Sequence, residues 1–243
     1  MRVYARWFSI GFLGALLLFP MWTDAIAQTT WEIGLKAGMG GAKLTGDDVK
    51  SFTFFVDELN YVEGDVEDMK MGFVGGGYAT AHFAKQFGVR LEALYVQKGG
   101  TGDLTGEFDG FPFQVEMSFK LDYIEFPLLA VVSFPAGTSG TFDLFAGPAV
   151  AFNLNAELEV EAEGQSASED IENASSTDFG GVVGAGFTLA LTSVNLFADA
   201  RWEWGFTNIV DSDLDADIKN NAFGFMIGVG FPLGGTAPAT SAP

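Results

Sequence analysis

Between Asn195 and Phe206 the chain alternates strictly in character. Asn195, Phe197, Asp199, Arg201 and Glu203 share one parity, and Leu196, Ala198, Ala200, Trp202, Trp204 and Phe206 share the other. Side chains alternate across a β-strand, so one face carries three consecutive charges and the other only apolar groups. Such a face cannot meet lipid, because an Arg at the bilayer midplane on the lipid side of a barrel costs about 2–4 kcal/mol. The reading that follows is a strand whose charged face points inward and whose tryptophan face points outward.

Seven other segments share this grain. Strands are predicted at about 32–44, 71–84, 87–98, 115–134, 141–154, 178–191, 194–206 and 222–233. The connectors after the second, fourth and sixth are short (85–86, 135–140, 192–193). Those after the first, third, fifth and seventh are long, at about 45–70, 99–114, 155–177 and 207–221. Short turns at one end and long loops at the other point to an eight-stranded antiparallel up-and-down transmembrane β-barrel, with periplasmic turns and extracellular loops.

Parity assigns the faces. In the third strand Val89, Leu91, Ala93 and Tyr95 oppose Arg90, Glu92 and, further on, Lys98. In the fifth, Phe142, Leu144, Ala146, Val150, Phe152 and Leu154 face out, with Asp143 and Asn153 inside. The sixth and eighth put aromatic and aliphatic residues outward and the glycines 180, 184, 186, 224, 228 and 230 inward. Glycine weakens a strand, but inside a narrow barrel it makes room for large side chains from other strands. The fourth strand resists one parity. Lys120 and Asp122 are expected inside with Glu116 and Ser118, and a β-bulge near 123–127 is then needed to bring Glu125 inside as well. Outward aromatics are expected in two girdles: Tyr95, Trp202, Trp204 and Phe206 towards the loops, and Trp31, Phe83, Phe87, Phe134 and Phe142 towards the turns.

The flanks are expected to be separate. Arg2 and Arg6, an apolar run at 8–19, Pro20 and Ala25-Ile26-Ala27 read as a signal peptide over 1–27. The barrel then spans 28–233, and 234–243, built of Gly, Thr, Ala, Pro and Ser, reads as a flexible tail. The absence of cysteine excludes disulfides and thiolate chemistry. A net charge of −20 argues against nucleic acid as a partner.

Several segments together resemble the PorT-like outer-membrane β-barrel proteins of Bacteroidetes. They are Gly88-Val89-Arg90-Leu91-Glu92-Ala93-Leu94-Tyr95 with Gln97-Lys98-Gly99, then Leu121-Asp122-Tyr123-Ile124-Glu125-Phe126-Pro127-Leu128-Leu129, then Phe145-Ala146-Gly147-Pro148, and Asp178-Phe179-Gly180 with Gly184-Ala185-Gly186. The resemblance covers most of the chain after the leader and implies a small barrel in a bacterial outer membrane. The family takes its name from a member tied to secretion and gliding, and that role is not carried over.

Two constellations could carry chemistry. Arg90, Glu92, Asp199, Arg201, Glu203, Lys120 and Asp122 are expected to form a lumen charge network, joined by Lys36 and Asp143. Buried charges persist only when paired, so its expected role is structural. The loops are acidic, and Asp211, Asp213, Asp215 and Asp217 form a candidate weak cation site, although they lack the glycine and terminal Glu of an EF-hand loop. His82 is the single histidine, which leaves no triad legible. The expected function is non-catalytic and without cofactor: envelope structure or loop-mediated surface contact. The expected partners are outer-membrane lipid, the barrel-assembly machinery, and divalent cations or surface partners at the loops, with the chain a monomer. A secretion-apparatus component, a barrel-embedded enzyme and a soluble apolar-ligand barrel are the alternatives. The last predicts an apolar inside.

Overall fold

The computed structural model describes residues 29–46, 52–53, 61–64, 68–108, 111–162, 165–171, 174–209 and 218–233. Residues 1–27, expected as a leader, residues 234–243, expected as a tail, and the candidate cation residues Asp211, Asp213, Asp215 and Asp217 lie outside them. Among the described residues, eleven strands occur in chain order: β1 Thr30–Thr45, β2 Phe52–Thr53, β3 Tyr61–Gly64, β4 Lys70–His82, β5 Phe87–Phe108, β6 Phe111–Ala136, β7 Gly140–Ala162, β8 Gln165–Asp170, β9 Thr177–Ala190, β10 Asn195–Gly205 and β11 Lys219–Leu233. Strands β1, β4, β5, β6, β7, β9, β10 and β11 pair antiparallel with their neighbours, and β1 pairs β11, which closes a ring of eight. Closure satisfies every strand edge within the ring, which is what a sheet in lipid requires.

The faces follow the predicted parity. Met226 is fully buried while its neighbour Ile227 is 61% exposed. Leu35, Met39, Met71, Leu91, Phe187 and Phe225 share Ile227's outward exposure, whereas Lys36, Arg90, Glu92, Asp199, Arg201 and Glu203 are buried inside. The soluble apolar-ligand barrel requires the opposite arrangement. The inward glycines of β11 lie where large side chains enter: Gly228 beside the Phe197 ring, and Gly230 beside Tyr78 and Glu32. At Gly38 a Cβ would stand 1.9 Å from the Phe225 carbonyl oxygen, a backbone atom in the paired strand that cannot step aside. We expect Gly38→Val to cost about 1–3 kcal/mol through overpacking. The check is the urea midpoint of the refolded protein in detergent micelles, and an unchanged midpoint counts against the register of β1 on β11.

Three predicted strands are longer than the sequence suggested. β5, β6 and β7 continue past the ring, so much of the expected loops at 99–114 and 155–177 is sheet. Gly99, with φ +128°, marks the point where β5 leaves the ring. Outward polar residues mark the same level on neighbouring strands: Lys43 pairs Asn221, Gln97 pairs Asp122, and Asp122 pairs Asn155.

This level corrects the fourth-strand reading. Lys120 and Asp122 do not enter the lumen. The inward parity of β6 is that of Leu121, Tyr123, Glu125, Leu129, Val131 and Ser133, with no bulge at 123–127. Asp122 accepts a hydrogen bond from Gln97 at 3.3 Å on the outer rim, and Lys120 sits above it, 2.6 Å from Glu159. Charge forces a residue inward only within the apolar band. Above the rim either face meets water. The irregularity lies in β7 instead, where Tyr123 pairs Asn153 and Asp122 pairs Asn155, leaving Leu154 as the extra residue. That bulge inverts the parity of β7 above the rim. Ala156 packs inward against Leu121 and Tyr123, and Glu157, Glu159 and Glu161 take the outer face.

Candidate functional site

The lumen is filled in layers. At the turn end, the Tyr78 hydroxyl donates to Glu32 at 2.7 Å, and Asn195 donates to the other oxygen of the same carboxylate. Beside them Asp143 accepts from Ser133 at 2.6 Å and Thr188 at 3.0 Å. The next layer holds Arg90, which donates to Thr80 and lies over the rings of Tyr78 and Phe145 at 5.2 and 5.7 Å. Above it, Glu92 of β5 receives Lys36 of β1 at 2.5 Å and both terminal nitrogens of Arg201 of β10 at 2.8 and 3.2 Å. Asp199 completes this cluster, 3.4 Å from Lys36. Higher still, Lys98 bridges Glu125 at 2.8 Å and Glu203. Four strands spread around the ring thus converge on two ion clusters, each with its charges desolvated and paired.

Two of these clusters' members, Lys36 and Arg201, come from strands on opposite sides of Glu92 in sequence, so periodicity alone could not join them. Parity does place Lys98 inside, whereas Glu125 is expected there only through a bulge that its strand does not have. The Lys98 pairing with Glu125 and Glu203 is the main feature that sequence reasoning missed. The available signal was a lysine and a glutamate on inward positions of adjacent strands, four residues apart in register and within reach of the long lysine side chain.

The top of the lumen is closed by an apolar plug. Leu44, Leu121, Tyr123, Ala151, Ile209 and Ile218 pack together, and the Asn220 amide holds Tyr123 and Asp178 at 3.3 and 3.2 Å beneath them. Beside the ion clusters is a cavity of about 30 Å³, lined by Val74, Leu94, Glu125, Arg201, Glu203 and Met226. That is room for about one water molecule. We therefore expect no solute flux: the protein in planar bilayers should give no conductance steps, and liposomes bearing it should retain entrapped sucrose. Sustained single-channel steps would contradict the closed lumen.

The hydroxyl–carboxylate pairs do not form a hydrolytic site. Asp143 gives both oxygens to Ser133 and Thr188, whereas nucleophilic catalysis places an imidazole between serine and carboxylate. Among the described residues no group of three or more His, Asp or Glu is placed to hold a metal ion.

The outer surface divides into an apolar belt and a polar extension. Near the rim, Trp204 and Phe206 are exposed, Trp202 lies 6.5 Å from Trp204, and Tyr95 lies 6.5 Å from Phe73. At the turn end Trp31, Phe87, Phe134 and Phe142 are exposed. Above the rim, β2, β3, β5, β6, β7 and β8 form one continuous sheet on one side of the ring. From Gly99 to Phe108, β5 adds roughly 30 Å of strand beyond the barrel.

An outward apolar belt around a closed, charged interior is the arrangement that a bilayer stabilises and water does not. The chain is similar to the Neisserial surface protein A (15% identity, 84% of this chain and 98% of that one, TM-score 0.44). It is also similar to OprG of Pseudomonas aeruginosa (13%, 86% and 98%, TM-score 0.41) and to Ail of Yersinia pestis (16%, 84% and 99%, TM-score 0.37). No curated protein matches the chain. Residues 26–211 match the model of the outer membrane protein beta-barrel domain, and the chain belongs to that family of bacterial outer-membrane barrels.

Proposed function

We propose that the barrel is a closed, non-catalytic scaffold and that the protein works at the cell surface, through the sheet it raises above the membrane. The observation that carries this reading is the combination of a plugged lumen with a six-stranded extension beyond the rim. A lumen filled by paired charges supports a structural role for Arg90, Glu92, Asp199, Arg201 and Glu203. Tyr95, Trp202 and Trp204 serve as the interfacial girdle on the extracellular side, where amphipathic rings sit at headgroup level. The chain is delivered by the barrel-assembly machinery, works as a monomer in outer-membrane lipid, and needs no cofactor. The segments at 88–99 and 121–129 resemble those of the PorT-like barrels, and this likeness supports a PorT-like barrel without a secretion role.

The chain has no cysteine, so single cysteines can be placed freely. Asp103→Cys on β5 and Glu161→Cys on β7, treated on intact cells with a membrane-impermeant maleimide cross-linker, should capture surface material. Ser139→Cys, in the turn between β6 and β7, should capture none. Cross-links from the turn alone would overturn the reading.

A further inference from the structure

Strand β8 is the outermost strand of the extracellular sheet. It pairs with β7, its other edge has no partner strand among the described residues, and all six of its side chains are exposed. The phase of its hydrogen bonds follows from one contact. The Ile171 amide donates to the Ala156 carbonyl at 2.9 Å, in the same register that pairs Leu158 with Glu169 and Val160 with Ala167. Backbone groups alternate sides along a strand, so residues 165, 167 and 169 bond towards β7. Ser166, Ser168 and Asp170 therefore turn their N–H and C=O groups to the free edge.

Exposed edges are normally blunted by lysine, proline, a bulge or a cover. The sequence Gln165-Ser166-Ala167-Ser168-Glu169-Asp170 carries neither Lys nor Pro. The face beside this edge is also unbalanced in charge. Rows run from β6 through β7 to β8: Glu116–Glu161–Ser166, Ser118–Glu159–Ser168 and Lys120–Glu157–Asp170. Glu116 stands directly opposite Glu161, a like-charge pair that weakens a sheet. Lys120 is the one cation among these nine positions, and it is bound to Glu159. The β8 residues beside Glu159 and Glu161 are serines, too small to cover those carboxylates. A strand laid on the free edge would lie about 10 Å from β7, two strand spacings. A long cationic side chain there reaches over a serine to a β7 glutamate.

We propose that the free edge of β8 binds an extended, cationic peptide segment of a partner protein by strand addition, with Lys or Arg at every second position facing Glu159, Glu161 and Asp170. Backbone pairing with Ser166, Ser168 and Asp170 supplies the register, and the carboxylates select the charge. This inference rests on the surface-contact reading above and names the partner's chemistry.

The test uses the full chain in detergent micelles and a fluorescent eight-residue peptide of alternating Lys and Thr, read by anisotropy. Three controls are the matching Glu/Thr peptide, the Lys/Thr peptide N-methylated at every amide, and the protein alone at rising concentration. The Lys/Thr peptide should bind, more weakly as salt rises, and the Glu/Thr peptide should not. Ser168→Pro removes one outward N–H and no bond to β7, and should weaken binding about tenfold or more, whereas Ser168→Ala should not. Glu159→Gln with Glu161→Gln should weaken it by about tenfold as well. Equal binding of the N-methylated peptide, or unchanged binding by a folded Ser168→Pro protein, would mean diffuse charge attraction and would sink strand addition, leaving the surface-contact reading intact. If Ser168→Pro does not fold, the N-methylated peptide decides. A dimer dissolved by Ser168→Pro, with no peptide bound, would assign the edge to a second copy and overturn the inference. No binding of any peptide to a protein whose cysteine variants still cross-link on cells would also overturn it.

Discussion

Lys98→Met should be among the most damaging single substitutions in this protein, lowering stability by about 3–5 kcal/mol. Lys98 is 2% exposed, and its ammonium lies between Glu125, Glu203 and the Tyr123 ring. Methionine keeps the length of the side chain and removes the charge. Two buried carboxylates are then left facing each other without the lysine that bridges them. The cost comes from those stranded charges, not from lost packing. The triple variant Lys98→Met, Glu125→Leu, Glu203→Leu should therefore recover most of the loss, because an apolar replacement of a buried ion cluster is often neutral. Lys120→Met, which breaks the half-exposed pair with Glu159, should cost no more than about 1 kcal/mol. Urea unfolding in micelles, followed by the mobility difference between folded and unfolded barrel on gels, measures all three. A Lys98→Met loss below that of Lys120→Met would show that the lumen is wet and the cluster screened.

Ile227→Arg should also fail badly, for the opposite reason. Ile227 points away from the lumen, midway along β11, opposite Ala37 and Ala198. In a bilayer an arginine at that depth costs about 2–4 kcal/mol. Phe111→Arg, at a site also well exposed but at the tip of the β5–β6 hairpin, should change stability by no more than about 0.5 kcal/mol. In water the two substitutions would be alike, since both sites are surface sites. Refolding into lipid vesicles separates the cases: Ile227→Arg should refold in poor yield and with a lower midpoint, and Phe111→Arg normally. Equal behaviour in vesicles would argue that β11 does not face lipid.

What could be read from the sequence follows from where physics leaves one choice. Inside the apolar band, Asp199, Arg201 and Glu203 can only face inward, so one strand fixed the sidedness and the turn lengths fixed the topology. Above the rim the constraint vanishes. The alternation of Glu157 to Glu161 continues that of β7, yet Leu154 has shifted its phase, and nothing in the local sequence marks that shift. Lys120 and Asp122 lie outside the lumen for the same reason: charge implies the lumen only within the apolar band, and β6 has left that band at their level. Partnerships are a third case. Parity puts Lys36, Glu92 and Arg201 in one space, but their contact depends on the registers of β1, β4, β5, β10 and β11 around the ring. The edge of β8 was hidden in a segment too polar to read as a strand.

The most direct test of the account is fractionation of expressing cells with carbonate-washed membranes, combined with protease applied to intact cells. The protein should stay in the outer-membrane fraction, and cuts should fall within 45–70, 99–114, 155–177 or 207–221, with the turns at 83–86, 137–139 and 191–194 protected until the outer membrane is opened. Release by carbonate, or cleavage at those turns in intact cells, would contradict the membrane-embedded barrel or its orientation.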